Sequence, residues 1–323
     1  MRITSLTTAA LLAAVALPAL AKDTGMAYVS SEKDNAIAVI EAKTLAVVGT
    51  IPTCKRPRHM QLLAGGTQLI VACGDSNEAD VIDLAARKSV GKVPLGDDPE
   101  LFDLSPDGKT LYVSNEEDAE VGVIDMATRK RTGAIKVGEE PEGVKVSPDG
   151  RWVFVTSEVA SLVHAIDTAS AKVVKNIKVG KRPRRFAFNA DASELWVSNE
   201  LGASVSVINV KDLVVSRTVK FEVKGLRTAD ITPVDLKLAR DGKTMYVTLG
   251  RANRVAFVDV ATGKVAETVL AGKRAWGLGL SPDGSRLWVA NGLSDDVTVI
   301  DTGTAKPLKS IKAGRVPHSI VVD

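Results

Sequence analysis

The chain has 323 residues, with 42 Lys and Arg set against 39 Asp and Glu, a formal net charge of +3 and only 4% aromatic residues. Charges so nearly balanced exclude a non-specific nucleic-acid binder, which would carry a dominant basic count. By length alone the chain could hold two domains.

The first segment reads as an export signal. Arg2 gives a positive start, 11–20 is a short apolar core, and Ala19-Leu20-Ala21 is a small-x-small site cut after Ala21. The expected mature chain is 22–323, and loss of Arg2 takes its formal charge from +3 to +2. The apolar stretch is too short for a good span, no other segment is long enough, and the mature chain is expected to have no membrane span. Export places it in the periplasm, where disulfides persist.

The rest of the chain repeats. Tyr28, Ile70, Tyr112, Phe154, Trp196, Tyr246 and Trp288 follow one another at 42 residues, with a single gap of 50. A period of roughly 40 residues, rich in short strands, predicts one propeller blade per copy. In the copy that starts at Pro99, strands are predicted at 100–104, 110–114, 121–125 and 132–137. Between the first two lies the turn Ser105-Pro106-Asp107-Gly108, where Pro presets φ and Gly accepts a positive φ. The plan recurs from Pro57, Pro141, Pro183, Pro233, Ala275 and Pro317. The last copy stops after one strand, while the start of the mature chain supplies the three strands it lacks. The expectation is one all-β domain: a seven-bladed β-propeller with four-stranded antiparallel blades, closed by N- and C-terminal strands that share one blade.

Whatever recurs in every copy belongs to the blade. Asp83, Asp125, Asp167, Asp259 and Asp301 recur and are read as turn caps. Trp196 and Trp288 are core, and His164 lies inside a third strand as a satisfied polar residue. The loops before each first strand diverge, and they converge on one mouth of the channel. Basic groups mark blades 1, 4, 6 and 7: Arg58 and His59, Arg184 and Arg185, Arg274, and His318. Acidic groups mark blades 2 and 3, at Glu100 and Glu142, with 116–120 extending them. Trp276 takes a slot that is charged in blades 1 to 4 and suits stacking on a planar ligand or a guanidinium. Asp235 and Arg227 complete the expected ligand-binding mouth. Gln61, Asp103, Lys145 and Lys237 are expected to line the channel below, with an Asp103–Lys145 pair as the plain alternative. The gap of 50 holds an insertion near 221–232, on the same mouth.

Cys54 and Cys73 flank the first hairpin of blade 1, and pairing across it puts Cys73 near Arg58. A disulfide is predicted. A metal held by these two thiolates would need His59 or His318 as well, and no metal is expected. No covalent haem motif, nucleophile elbow, Walker loop or zinc-protease motif is present, and no catalytic residue is assigned.

Tyr-Val-Ser-Asn at 112–115, Tyr-Val-Thr at 246–248, the Val-Ile-Asp units and the Ser-Pro-Asp-Gly turns resemble the signature of YVTN-repeat β-propellers. The resemblance spans the whole mature chain. With the run Lys-Arg-Pro-Arg-His at 55–59, the exported start and the blade count, the chain most resembles the PQQ-dependent catabolism-associated β-propeller family. That resemblance implies a setting beside quinoprotein alcohol dehydrogenases. It does not imply the dehydrogenase itself, whose propellers are larger and eight-bladed. The favoured reading is therefore a non-catalytic periplasmic accessory protein, binding an anionic small molecule such as PQQ or docking a quinoprotein dehydrogenase or a cytochrome c. PQQ is a tricarboxylate, which Arg58, Arg184, Arg185 and Arg274 suit. The alternatives are a lactonase-like hydrolase, a haem-d1-type redox protein, or a structural scaffold.

Overall fold

The computed structural model describes residues 24–323; the expected signal peptide lies outside the described residues. The described chain forms seven four-stranded antiparallel sheets. In six of them the strands are consecutive. In the seventh, Pro317–Val322 pairs with Met26–Ser31, so the last strand is the innermost strand of the blade that the first strands build. Among the described residues no helix is long and apolar enough to cross a membrane.

The repeat explains the packing. The seven residues that set the beat are all buried, and apolar clusters fill each of the seven interfaces between neighbouring blades. The second and third strands bury both faces, and each fully buried Val, Ile or Leu contributes about 1.5–3 kcal/mol. The fourth strands lie at the rim and keep one deeply buried position each, such as Ile51, Ile135 and Ile177.

The recurring polar residues are blade chemistry. Asp83, Asp125, Asp167, Asp259 and Asp301 each accept the N–H three residues on, at 2.7–2.8 Å. His164 is satisfied by Ser157 at 2.8 Å and Asn176 at 2.7 Å. Cys54 and Cys73 form the disulfide, with Cα atoms 5.8 Å apart. Cys73 lies opposite Pro57 rather than Arg58, because a bulge shifts the register there.

That bulge is general. In six of seven innermost strands the register slips just after the first residue, at 58–59, 100–101, 142–143, 184–185, 276–277 and 318–319. In four of these six blades a hydroxyl on the neighbouring strand replaces the lost ladder. Thr156 accepts the N–H of Gly143 at 2.7 Å and donates to the carbonyl of Arg184, one blade on, at 3.1 Å. Ser30, Ser114, Ser198 and Thr248 do the same at their own blade boundaries. Each hydroxyl stitches one blade to the next beside the channel.

The insertion between Val214–Lys220 and Leu236–Leu238 is anchored at both ends by Phe221 and Ile231, buried between blades 4 and 5. It shortens the innermost strand of blade 5 to three residues.

Candidate ligand site at the channel mouth

A bulge turns two successive side chains toward the axis instead of one. The first of each pair, with Val234 of the unbulged fifth blade, forms a ring: Arg58, Glu100, Glu142, Arg184, Val234, Trp276 and His318, every one at most 8% exposed. The ring closes the channel below the mouth. Its tightness needs glycine beside it: a Cβ on Gly277 would lie 2.1 Å from the carbonyl oxygen of His318.

Basic and acidic blades do not form separate arcs, because side chains cross blade boundaries and pair. Arg58 reaches Glu100 of the next blade and lies 3.5 Å from Glu32. Arg184 reaches Glu158 and lies 3.3 Å from Glu142 and 3.7 Å from Glu200. Arg56 bridges Asp98 at 2.8 Å and Glu100 at 3.2 Å. Trp276 stacks on guanidinium groups, with Arg274 4.2 Å and Arg184 5.1 Å from a ring centroid.

Glu100 and Glu142 sit on neighbouring blades, and one proton serves both. Burial and then the charge of Glu142 push the Glu100 carboxyl up to about 9, against the pull of Arg58 and Arg56. Burial also opposes ionisation of Glu142, yet Arg184, Arg58 and Arg185 hold it below the usual range. The acid is therefore Glu100 and the carboxylate Glu142. Burial, followed by Arg58 and Arg185, drives His318 well below its ordinary value, so it is neutral. Its Nε2 accepts from Arg185 at 3.2 Å, which leaves the proton on Nδ1.

Above the ring lies a small pocket walled by Glu32, Arg58, Arg274, Trp276, Pro317 and His318. Two buried donors of its walls, Trp276 Nε1 and His318 Nδ1, have no hydrogen-bond partner, and a third, Arg58 Nε, lies 3.5 Å from Glu32 Oε1. Glu32 is the one carboxylate in the wall, with Oε1 3.9 Å from His318 Nε2. A cavity of this kind recognises an oxygen-rich acceptor.

Several expected mouth residues lie elsewhere. His59 and Arg185, the second residues of their bulges, and Asp235 of the unbulged fifth blade face a chamber below the ring. Burial, then Arg185, Lys145 and Lys237, lower His59 to about 3. Arg227 stands on the insertion, 84% exposed and paired with Asp230 at 2.7 Å, and neither it nor the insertion lines the mouth pocket. Asp103, Lys145 and Lys237 line the chamber, Asp103 and Lys145 paired at 2.9 Å, and Gln61 stands at the lower opening.

Glu32, Glu158 and Glu200 were not anticipated. The same spacing marks them: 32, 74, 116, 158, 200, 250 and 292 are one position of the repeat, Glu in four copies and Gly in three. At 32, 158 and 200 it supplies counter-charges to Arg58, Arg182 and Arg184.

Residues 163–322 match the family described as lactonase, 7-bladed beta-propeller, and 107–189 match the YNCE-like beta-propeller family. No curated protein matches the chain. Among solved structures, hydrazine synthase of Kuenenia stuttgartiensis superposes with a TM-score of 0.77 at 23% identity, over 89% of this chain and 97% of that one. The periplasmic gluconolactonase of Pseudomonas aeruginosa does so with 0.77 at 21%, over 91% and 98%. Dihydro-heme d1 dehydrogenase does so with 0.71 at 14%, over 96% and 78%. Likenesses at these identities establish the fold: the chain is a seven-bladed β-propeller.

Proposed function

We propose that this protein is an exported propeller hydrolase that takes a small oxygen-rich lactone at the mouth pocket and opens its ring. The observation that carries the reading is the pair of buried, partnerless donors, Trp276 Nε1 and His318 Nδ1, around a pocket whose wall holds one carboxylate, Glu32. The lactone carbonyl accepts from the Trp276 and His318 N–H groups, beside the Arg58 guanidinium. Arg274, stacked on Trp276, faces the hydroxyls or carboxylate of the substrate. Water adds to the carbonyl carbon and its proton passes to Glu32. The oxyanion collapses, the ring C–O bond breaks, and the leaving oxygen takes that proton back, giving the hydroxy acid.

Family likeness over 163–322 and the gluconolactonase among the structural neighbours support the same reading. Pairing of Arg58 and Arg184 with carboxylates leaves little free positive charge for a tricarboxylate such as PQQ, so an accessory role with a quinone or a cytochrome c has weaker support. The disulfide fits the oxidising compartment that the leader implies.

Ring opening of an aldonolactone, followed by pH-stat with the uncatalysed rate subtracted, is the test. Turnover is expected, with Glu32→Gln lowering kcat about 10²–10⁴-fold and Arg274→Ala raising KM. A protein that binds aldonate but turns over no lactone is a binding protein, and the hydrolase reading fails.

A further inference from the structure

Arg56, Arg182 and Arg274 occupy one position of the repeat and leave the chain from the same left-handed backbone, at φ of 55°, 53° and 58°. The first two are ion-paired. Arg56 bridges Asp98 at 2.8 Å and Glu100 at 3.2 Å, with Asp75 at 3.5 Å. Arg182 holds Glu158 at 2.5 Å and Glu200 at 3.4 Å. Around Arg274 the repeat puts other residues in those places: Leu293 for Asp75, Val316 for Asp98, His318 for Glu100, Gly250 for Glu158 and Gly292 for Glu200. None of them carries a carboxylate. The Arg274 guanidinium accordingly makes no ion pair and no hydrogen bond among the described residues, and it stacks on Trp276 with 4.2 Å to a ring centroid. The nearby carboxylates are engaged elsewhere. Glu32 lies 3.5 Å from Arg58, and Glu200 is 3.4 Å from Arg182 and 3.7 Å from Arg184.

The same substitutions make the room. Gly292, Val316 and His318 line the mouth pocket together with Arg274. A Cβ on Gly292 would meet nothing nearer than the Pro317 carbonyl oxygen at 3.7 Å and Arg274 Cδ at 3.8 Å, so a side chain fits there. The pocket thus occupies the space that a glutamate fills beside the equivalent arginine of blade 4. Its guanidinium is held flat by the indole, which readies the planar fork for a carboxylate.

We infer that the mouth pocket takes the carboxylate of a small molecule on Arg274, in the place of the missing glutamate. Resting on the hydrolase reading, this narrows the substrate to lactones that carry a carboxylate besides the ester, such as the monolactone of an aldaric acid. Glucaro-1,4-lactone and glucono-1,4-lactone are the matched pair, a carboxylate in one standing where the other has a hydroxymethyl group. The carboxylated lactone is expected to have a kcat/KM about tenfold higher or more, mainly through KM. Arg274→Gln should bring the two lactones to similar values. Gly292→Glu, which restores the carboxylate that blade 4 uses, should do the same, while Gly292→Gln, equal in size but uncharged, should retain more of the preference. Circular dichroism melts establish that each variant is folded.

Binding is read apart from turnover with tetrahydrofuran-2-carboxylate and tetrahydrofurfuryl alcohol, neither of which holds an ester, titrated into the protein by NMR. The acid should bind more tightly than the alcohol, and Arg274→Gln should remove the difference. Tighter binding of the acid with no turnover of either lactone keeps the carboxylate site and removes the hydrolase. Turnover with equal kcat/KM for the two lactones, or a preference that survives Arg274→Gln, overturns the carboxylate assignment and leaves the hydrolase standing.

Discussion

Glu100 carries a proton into a place where most carboxyls are ionised, and this gives stability a pH dependence of a definite sign. Its folded pKa lies at about 9, above the ordinary value of 4.5. Between those values the native state binds more protons than the unfolded chain, so stability falls as pH rises through that window. Glu100→Gln keeps a neutral donor beside Glu142 and removes the titration. The expected outcome is a native Tm that declines from pH 6 to pH 9.5, and a Glu100→Gln Tm that declines less. Parallel declines would assign the proton elsewhere. At this scale the sequence was informative about identity and misleading about depth. Arg58, Glu100, Glu142, Arg184, Trp276 and His318 reach the ring, as their divergence from the repeat implied. His59, Arg185 and Asp235 are their immediate neighbours in the chain or the repeat, yet they face the chamber. A bulge sends consecutive residues to different levels of one axis, and no hydrophobic pattern records it. Glu32, Glu158 and Glu200 were legible in principle, because they share one repeat position, but they stand on the loop after the second strand. Attention to the loops before the first strand passed over them.

At the scale of the element, the second strand does more than fill the blade. Its Ser or Thr, at or next to the end of the strand, takes over where the bulge breaks the ladder. Thr156 alone serves two buried backbone groups on two blades. Thr156→Val has nearly the same shape and leaves both groups without a partner, which costs about 1–3 kcal/mol for each unsatisfied group. Urea unfolding should show that loss as a lower midpoint with an unchanged slope. An unchanged midpoint would mean that water replaces the hydroxyl. The strands themselves were plain from the sequence. The 42-residue repeat and the Ser-Pro-Asp-Gly turns place the strands of the copy that starts at Pro99 to within two residues, as at Thr110–Asn115 and Lys130–Lys136. What the pattern could not convey was that the Ser or Thr found at this position in five of the seven copies bonds across blades rather than within its own turn.

For the whole molecule, the ring is closed at one seam and pinned at another. Pro317–Val322 pairs with Met26–Ser31, brings His318 into the ring of the mouth, and covers the edge that the first strand would otherwise expose. Ending the chain before Pro317 therefore removes more than one strand: Tyr28, Val29 and Ile40 lose cover, and the mouth loses a wall. The Cys54–Cys73 disulfide is local by comparison, since it ties two adjacent strands of one blade across 19 residues. A loop of that length stabilises by about 2–4 kcal/mol through the unfolded chain, with no change in what the blades bury. The two perturbations should thus differ in kind. Cys54→Ala with Cys73→Ala, or reduction, is expected to lower the Tm while near-ultraviolet circular dichroism keeps its native form. Truncation before Pro317 is expected to abolish that spectrum and to expose apolar surface to a hydrophobic dye. A truncated chain with native near-ultraviolet signal would show that six blades and three strands close without the seventh blade's inner strand, and that the seam is not what holds the propeller together.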